Sequence, residues 1–150
     1  MVTPSPIPDP ADLARAGRLL GLDVGDRRIG LAVSIPPGEL VLPAGYLLRR
    51  NRRADIASIL EQAGQRDAAA IVVGMPYDTH GRSGNQARKT ASLVRALHRA
   101  TDIPVLTIDE SFSTNAAVND LAQSGQRPIR DPGSIDAAAA VTILRRFLAS

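Results

Sequence analysis

Two short apolar runs, Leu19 to Val24 and Ile29 to Ile35, are separated only by Gly25, Asp26, Arg27 and Arg28. That spacing predicts a β-hairpin, and it fixes how a sheet must begin. Leu40 to Leu48 reads as a third strand, so the three form an antiparallel meander. The period then changes. Ile56, Ile59, Leu60 and Ala63 recur at helical spacing, with Gly64 as a stop. Ala68 to Met75 is an apolar run closed by Pro76, which suits a strand buried on both faces. A helix over 84–102, a strand over 104–111, a short helix near 113–124 ended by Gly125 and a last helix from about Ser134 complete the chain. Three strands followed by helix–strand–helix–strand–helix predict an α/β fold. It has one mixed five-stranded sheet, three strands antiparallel and then two parallel, flanked by helices. Neither an internal repeat nor a second domain is visible. Pro4, Pro6, Pro8 and Pro10 punctuate a polar start, so residues 1–17 are expected to be a disordered tail and 18–150 the single domain.

Composition narrows the function classes. The 150 residues contain no cysteine, which removes disulfides, thiolate zinc sites and a cysteine nucleophile. No apolar run reaches the roughly 18 residues of a membrane span, and the start lacks a signal-peptide core. A cytoplasmic protein with no membrane partner is expected. Eighteen basic residues against fifteen acidic give a net charge of +3, with a pI near 10.2, a footprint of nucleic-acid binding. Lys89 is the one lysine, and the arginines that make up the rest are the better bidentate phosphate partners. Aromatics are only 3%, which argues against base-stacking platforms. A nucleic-acid ligand would be gripped by its phosphates.

Three carboxylates stand where such a fold places ligands, at the carboxyl ends of parallel strands. Asp23 lies within Gly-Leu-Asp-Val-Gly, and strand alternation puts Gly21, Asp23 and Gly25 on one face. Gly and Asp are all poor strand formers, and the two glycines leave room for a backbone or ion to come close. Glu110 ends its strand on the face of Leu106 and Ile108, with Asp109 on the other. Asp136 starts the last helix beside the apolar stripe of Ala137, Val141, Leu144 and Leu148. Such hard oxygen ligands suit Mg2+ or Mn2+. One or two such ions could activate water and stabilise a leaving oxygen in phosphodiester cleavage. His80 and His98 stand isolated, without triad or ligand spacing.

The blocks GLDVGDRRIGLAVS, VVGMPYDTHGRSGNQA, IDESFSTNAA and SIDAAAAVTIL resemble, in order and spacing, the YqgF/RuvX family. These RNase H-like bacterial proteins are described as Holliday junction resolvases and as pre-16S rRNA nucleases. The resemblance runs from about Arg18 to Leu148. It implies Asp23, Glu110 and Asp136 as catalytic, metal-binding acids. Arg28 matches the family's Arg in its GxxRIG block, and Gly81 to Gly84 match its glycine-bearing loop. The chain departs at Ser111, where the family usually has arginine after the glutamate.

The remaining candidates are cationic or backbone sites. Arg49, Arg50, Arg52 and Arg53 form a basic stretch that would grip phosphates, with Arg28, Arg82 and Lys89 beside them. Gly81, Arg82, Ser83 and Gly84 open a helix whose N–H groups could receive a phosphate, and Gly21 and Gly25 would allow a close backbone approach. A nucleotide-hydrolysing reading of the first block fails on length, since it needs two lobes. GNQARKT is no P-loop, because Arg88 replaces the required glycine. The function expected is a divalent-metal-dependent endonuclease on structured RNA or branched DNA. Maturation of the 5′ end of pre-16S rRNA is favoured over junction resolution and over a non-catalytic binding module. Paired cuts at a junction would require a homodimer, for which the sequence offers no heptad seam or long apolar patch.

Overall fold

The computed structural model describes residues 9–76, 84–110 and 132–150. Strands β1 (Arg18–Val24), β2 (Arg28–Ile35) and β3 (Leu40–Leu48) form the meander. Helix α2 (Arg52–Gln65), strand β4 (Ala68–Met75), helix α3 (Asn85–Ala100), strand β5 (Val105–Asp109) and helix α4 (Pro132–Leu148) follow. The sheet order is β3-β2-β1-β4-β5. β1 pairs antiparallel with β2 and parallel with β4, and β4 pairs parallel with β5. The expected mixed sheet is thereby present. The short helix expected near 113–124 lies outside the described residues.

Alternation along β1 divides the core. Leu20, Leu22 and Val24 point to one layer, where Ile59 and Ala63 of α2 and Leu93, Val94 and Leu97 of α3 meet them. Leu19 points to the other, with Ala140, Ile143, Leu144 and Phe147 of α4. β4 is buried from Ala70 to Met75, as a strand covered on both faces should be.

Two expectations about the helices need correction. Residues 10–16 are not a disordered tail: Pro10–Ala16 form helix α1, and Ala14 is buried in the α4-side core. The prolines read as breakers, yet Pro10 occupies the first helical turn, where its missing N–H costs nothing. Asp9 caps that turn by accepting from the Ala11 N–H at 2.9 Å. Gly64 does not stop α2, which runs on to Gln65 and leaves through Asp67 at φ 49°.

The edge strand β3 also differs from the linear reading. Leu40, Leu42, Tyr46 and Leu48, the exposed large apolar side chains among the described residues, all lie on it. Interruption by Pro43 and a register shift opposite Gly30/Ala32 hide this apolar edge in the sequence.

The basic stretch is largely part of the scaffold. Asp55 is 3% exposed and accepts from Arg49 Nε and from the Arg50 N–H, each at 2.9 Å. Arg49 Nη1 also donates to the Gly25 carbonyl at 2.7 Å, and its backbone N–H donates to Arg27. Arg49 thus clamps the β1–β2 turn, which corrects its assignment as a phosphate grip. Arg50 and Arg52 donate to Ser58 Oγ and Ser92 Oγ, each at 3.0 Å, on the exposed surface. Removing the partner of a buried charge costs about 3 kcal/mol or more. Arg49→Ala should therefore lower the urea midpoint substantially, whereas Arg53→Ala, a surface change, should shift stability by no more than about 0.5 kcal/mol. Equal midpoints for the two variants would show that the Asp55 pair does not hold the turn.

Candidate active site

Asp23 lies one residue from the end of β1, on the α4 side of the sheet, opposite Gly30 of β2. Two strands away, β5 ends at Asp109, and the Glu110 N–H donates to the Met75 carbonyl at 3.0 Å. This bond prolongs the parallel register by one residue and turns the Glu110 side chain to the face of Leu106 and Ile108, the face expected. β4 lies between these strands and carries Gly74. A Cβ there would stand 2.5 Å from Ile143 Cδ1 and 3.0 Å from the Glu110 carboxyl. Glycine at 74 therefore opens the space through which Glu110 reaches Asp23.

Asp23 and Glu110 share a side-chain hydrogen bond. Burial raises the Asp23 carboxyl above its ordinary range, and the Asp136 charge adds to this. Glu110 is pushed up to about 9, first by burial and then by the charge of Asp23. Both carboxyls are thus disfavoured as charges, and a proton shared between them accounts for their bond. The Glu110 Oε2 atom is buried with no hydrogen-bond partner among the described residues.

Asp136 comes from the first turns of α4. Glycine at 30 admits it: a Cβ there would stand 2.0 Å from the Asp136 carbonyl oxygen. Its side chain turns to Arg28, whose Nε donates to Asp136 Oδ2 at 2.6 Å. The two side chains are 30% and 23% exposed, so the pair is shielded from bulk water only in part. Among the described residues no three acidic or histidine side chains converge on one ion position. Asp23 and Glu110 are joined directly, and Asp136 is near enough to act on Asp23 through its charge.

A half-buried Asp23 and a buried Glu110, both raised in pKa and the latter with an oxygen unpartnered among the described residues, fit a divalent cation, which would supply both the missing charge and the missing ligand. The residues that would hold it are Asp23 and Glu110, with Asp136 as the third acid.

The other candidates divide. Gly21 faces α4, where a Cβ would lie 3.2 Å from Leu144 Cβ and 3.3 Å from the Ala140 carbonyl, so helix packing rather than a substrate takes that space. Gly25 closes the hairpin, its N–H donating to the Arg28 carbonyl at 2.8 Å. Those two assignments as open backbone positions are corrected. Gly84 does face open space, and it precedes α3 as its N-cap. Lys89 is exposed on α3, 3.9 Å from Asp26. Gly81, Arg82 and Ser111 lie outside the described residues. Gly30 and Gly74 were missed. Their signal was only an isolated glycine within an apolar strand, which marks close approach without saying of what.

A sign for pH follows from Glu110. Its folded pKa lies above the ordinary 4.5, so between 4.5 and about 9 the folded chain binds more protons than the unfolded one. In EDTA, stability should therefore be full at low pH and fall as pH rises through that window, and Glu110→Gln should flatten the fall. A melting temperature that rises from pH 5 to 9 in wild type would contradict this protonation.

Comparison with known proteins matches residues 17–150 to the family model described as "RuvX: Holliday junction resolvase". A relative from Synechococcus sp. (strain JA-2-3B'a(2-13)), provisionally named a pre-16S rRNA nuclease, is 43% identical over 129 residues, covering 86% of this chain and 76% of its own. One from Mycobacteroides abscessus with the same name is 38% identical over 151 residues, covering 97% and 90%. Among solved structures, T. thermophilus RuvC in complex with a Holliday junction superposes with a TM-score of 0.57 at 16% identity, over 89% of this chain and 94% of that one. Fowlpox virus resolvase with its junction DNA gives 0.57 at 8%, over 88% and 97%. At such identities the two structures establish the shared fold.

Proposed function

The chain belongs to the RuvX family, and from that premise we propose that it is a divalent-metal-dependent endonuclease that matures the 5′ end of pre-16S rRNA. The observation that carries the reading is the Asp23–Glu110 carboxyl pair, half-buried and buried, at the ends of β1 and β5, with Asp136 beside it. Relatives at 43% and 38% identity bear a pre-16S rRNA nuclease name, which favours the rRNA end over a junction as substrate.

A Mg2+ or Mn2+ ion bound there supplies Lewis-acid polarisation of water and of the phosphodiester oxygens. The protein's part is separate. Asp23 would present a carboxylate held by the strand, and Glu110 would offer the oxygen that has no partner among the described residues. Asp136 adds a third charge from the helix. Together they orient the water and the scissile phosphate in a site the sheet keeps rigid. The cationic side chains that remain exposed, Arg53 and Lys89 among them, would meet the flanking phosphates. Nothing in such a grip reads a base, so the substrate is selected by shape and backbone.

Depletion of the protein in its host tests the reading. rRNA with an extended 5′ end should accumulate, wild-type protein should restore the mature end, and Asp23→Asn should not. Normal rRNA ends after depletion, together with symmetric nicks in a four-way junction by the purified protein, would give the family's junction-resolving activity precedence.

A further inference from the structure

Asp136 is the third acid of the proposed site, yet its carboxylate is already engaged. Arg28 Nε donates to Asp136 Oδ2 at 2.6 Å, at the end of the sheet where β2 begins. The arrangement is built on both sides. Gly30 lets the Asp136 backbone lie against β2. Arg28 starts β2 immediately after the turn that Gly25 closes and Arg49 clamps from Asp55. The guanidinium is thus delivered to Asp136 by a fixed chain of bonds rather than by a free surface arm. Among the described residues the other two acids have no such cation: they bond to each other, and Glu110 Oε2 has no partner.

We propose that Arg28 is a built-in counter-cation that competes with the divalent ion for Asp136 and passes to a nucleic-acid phosphate when the ion binds. The inference rests on the metal-site reading above. The charges dictate the exchange. Arg28 takes Asp136 Oδ2, and a divalent cation on the same carboxylate would stand close to the guanidinium, so the two positive charges weaken each other's hold. A guanidinium released beside a phosphodiester has a bidentate acceptor at hand. Arg28 is therefore a positioning residue in the metal-free protein and a phosphate contact in the loaded one. Through that exchange, ion binding and nucleic-acid binding favour each other.

The direction of one measurement separates this from a purely structural ion pair. Mn2+ binding to the full chain, read by the loss of the free-ion EPR signal without nucleic acid, should tighten about tenfold in Arg28→Gln. A neighbouring charge shifts ligand occupancy by that order. Arg28→Lys should stay close to wild type. A weaker or unchanged affinity in Arg28→Gln, with wild-type melting behaviour, would overturn the competition. Asp136→Asn in the same titration keeps the two readings apart. If it leaves Mn2+ affinity unchanged, Asp136 is no ligand and the metal-site reading fails. If it weakens binding while Arg28→Gln does not strengthen it, the exchange alone fails.

The second half is read in RNA binding. With Ca2+ present, affinity for a 16S precursor fragment should fall with salt more steeply in wild type than in Arg28→Gln, by about one phosphate contact. In EDTA the two slopes should coincide. Equal slopes in Ca2+ would keep the guanidinium on the protein and overturn the transfer.

Discussion

Asp23→Asn should lower the rate of phosphodiester cleavage by about a thousandfold or more while leaving the melting temperature at or above that of wild type. The two expectations have one cause. Burial raises Asp23 and Glu110 together, so the wild-type fold carries two acids in a space that disfavours charge. An amide fills the same volume, still bonds to Glu110, and removes the charge that burial opposes. Stability is kept or gained, and the ligand charge is lost. Glu110→Gln should behave alike, since residues that act as one unit lose nearly the full effect singly. A variant that cuts at the wild-type rate would remove Asp23 from the chemistry. A variant that fails to fold would instead show that the charge is structural.

Gly30→Ala should be the most damaging change outside the acids. Its Cβ would stand 2.0 Å from the Asp136 carbonyl oxygen and 2.3 Å from the carbonyl carbon. Both are backbone atoms of a helix packed against the sheet, so no rotamer relieves the clash. Either α4 shifts outward or β2 deforms, and overpacking of this kind costs about 1–3 kcal/mol or more. The shift also carries Asp136 away from Asp23, so cleavage should fall by about a hundredfold, in line with an ångström-scale misplacement. Gly64→Ala is the matched control. Nothing lies within 4 Å of a Cβ at that helical position, and the change should stabilise by about 0.5–1 kcal/mol without affecting cleavage. Similar melting temperatures for the two variants would show that α4 does not depend on the close approach at Gly30.

The legible and the hidden parts of this protein differ for physical reasons. The succession of strands and helices followed from period and spacing, because a two-residue alternation and a 3.6-residue repeat leave different marks in a sequence. Asp23 and Glu110 were visible because a charge inside or ending an apolar strand has few bland explanations. Asp136 was suggested by position at the start of the last helix, and the family resemblance implied the same three acids. The hidden features depend on distance in space. Arg49 looked like one of four equivalent arginines, and only the fold brings it to Asp55 and to a carbonyl 24 positions earlier. Arg28 and Asp136 are 108 positions apart. Gly30 and Gly74 carry no sign of which neighbour they admit. Helix α1 was lost to its prolines, although Asp9 followed by Pro10 is a helix start when read as a cap rather than as a break.

Primer extension on a purified 16S rRNA precursor, incubated with purified protein and Mg2+ or Mn2+, tests the central claim most directly. The account predicts a discrete cut that yields the mature 5′ end, abolished by EDTA and by Asp23→Asn, Glu110→Gln or Asp136→Asn alike. An intact precursor under conditions where the wild-type protein binds both the ion and the RNA would contradict it. So would a cut that survives in all three acid variants.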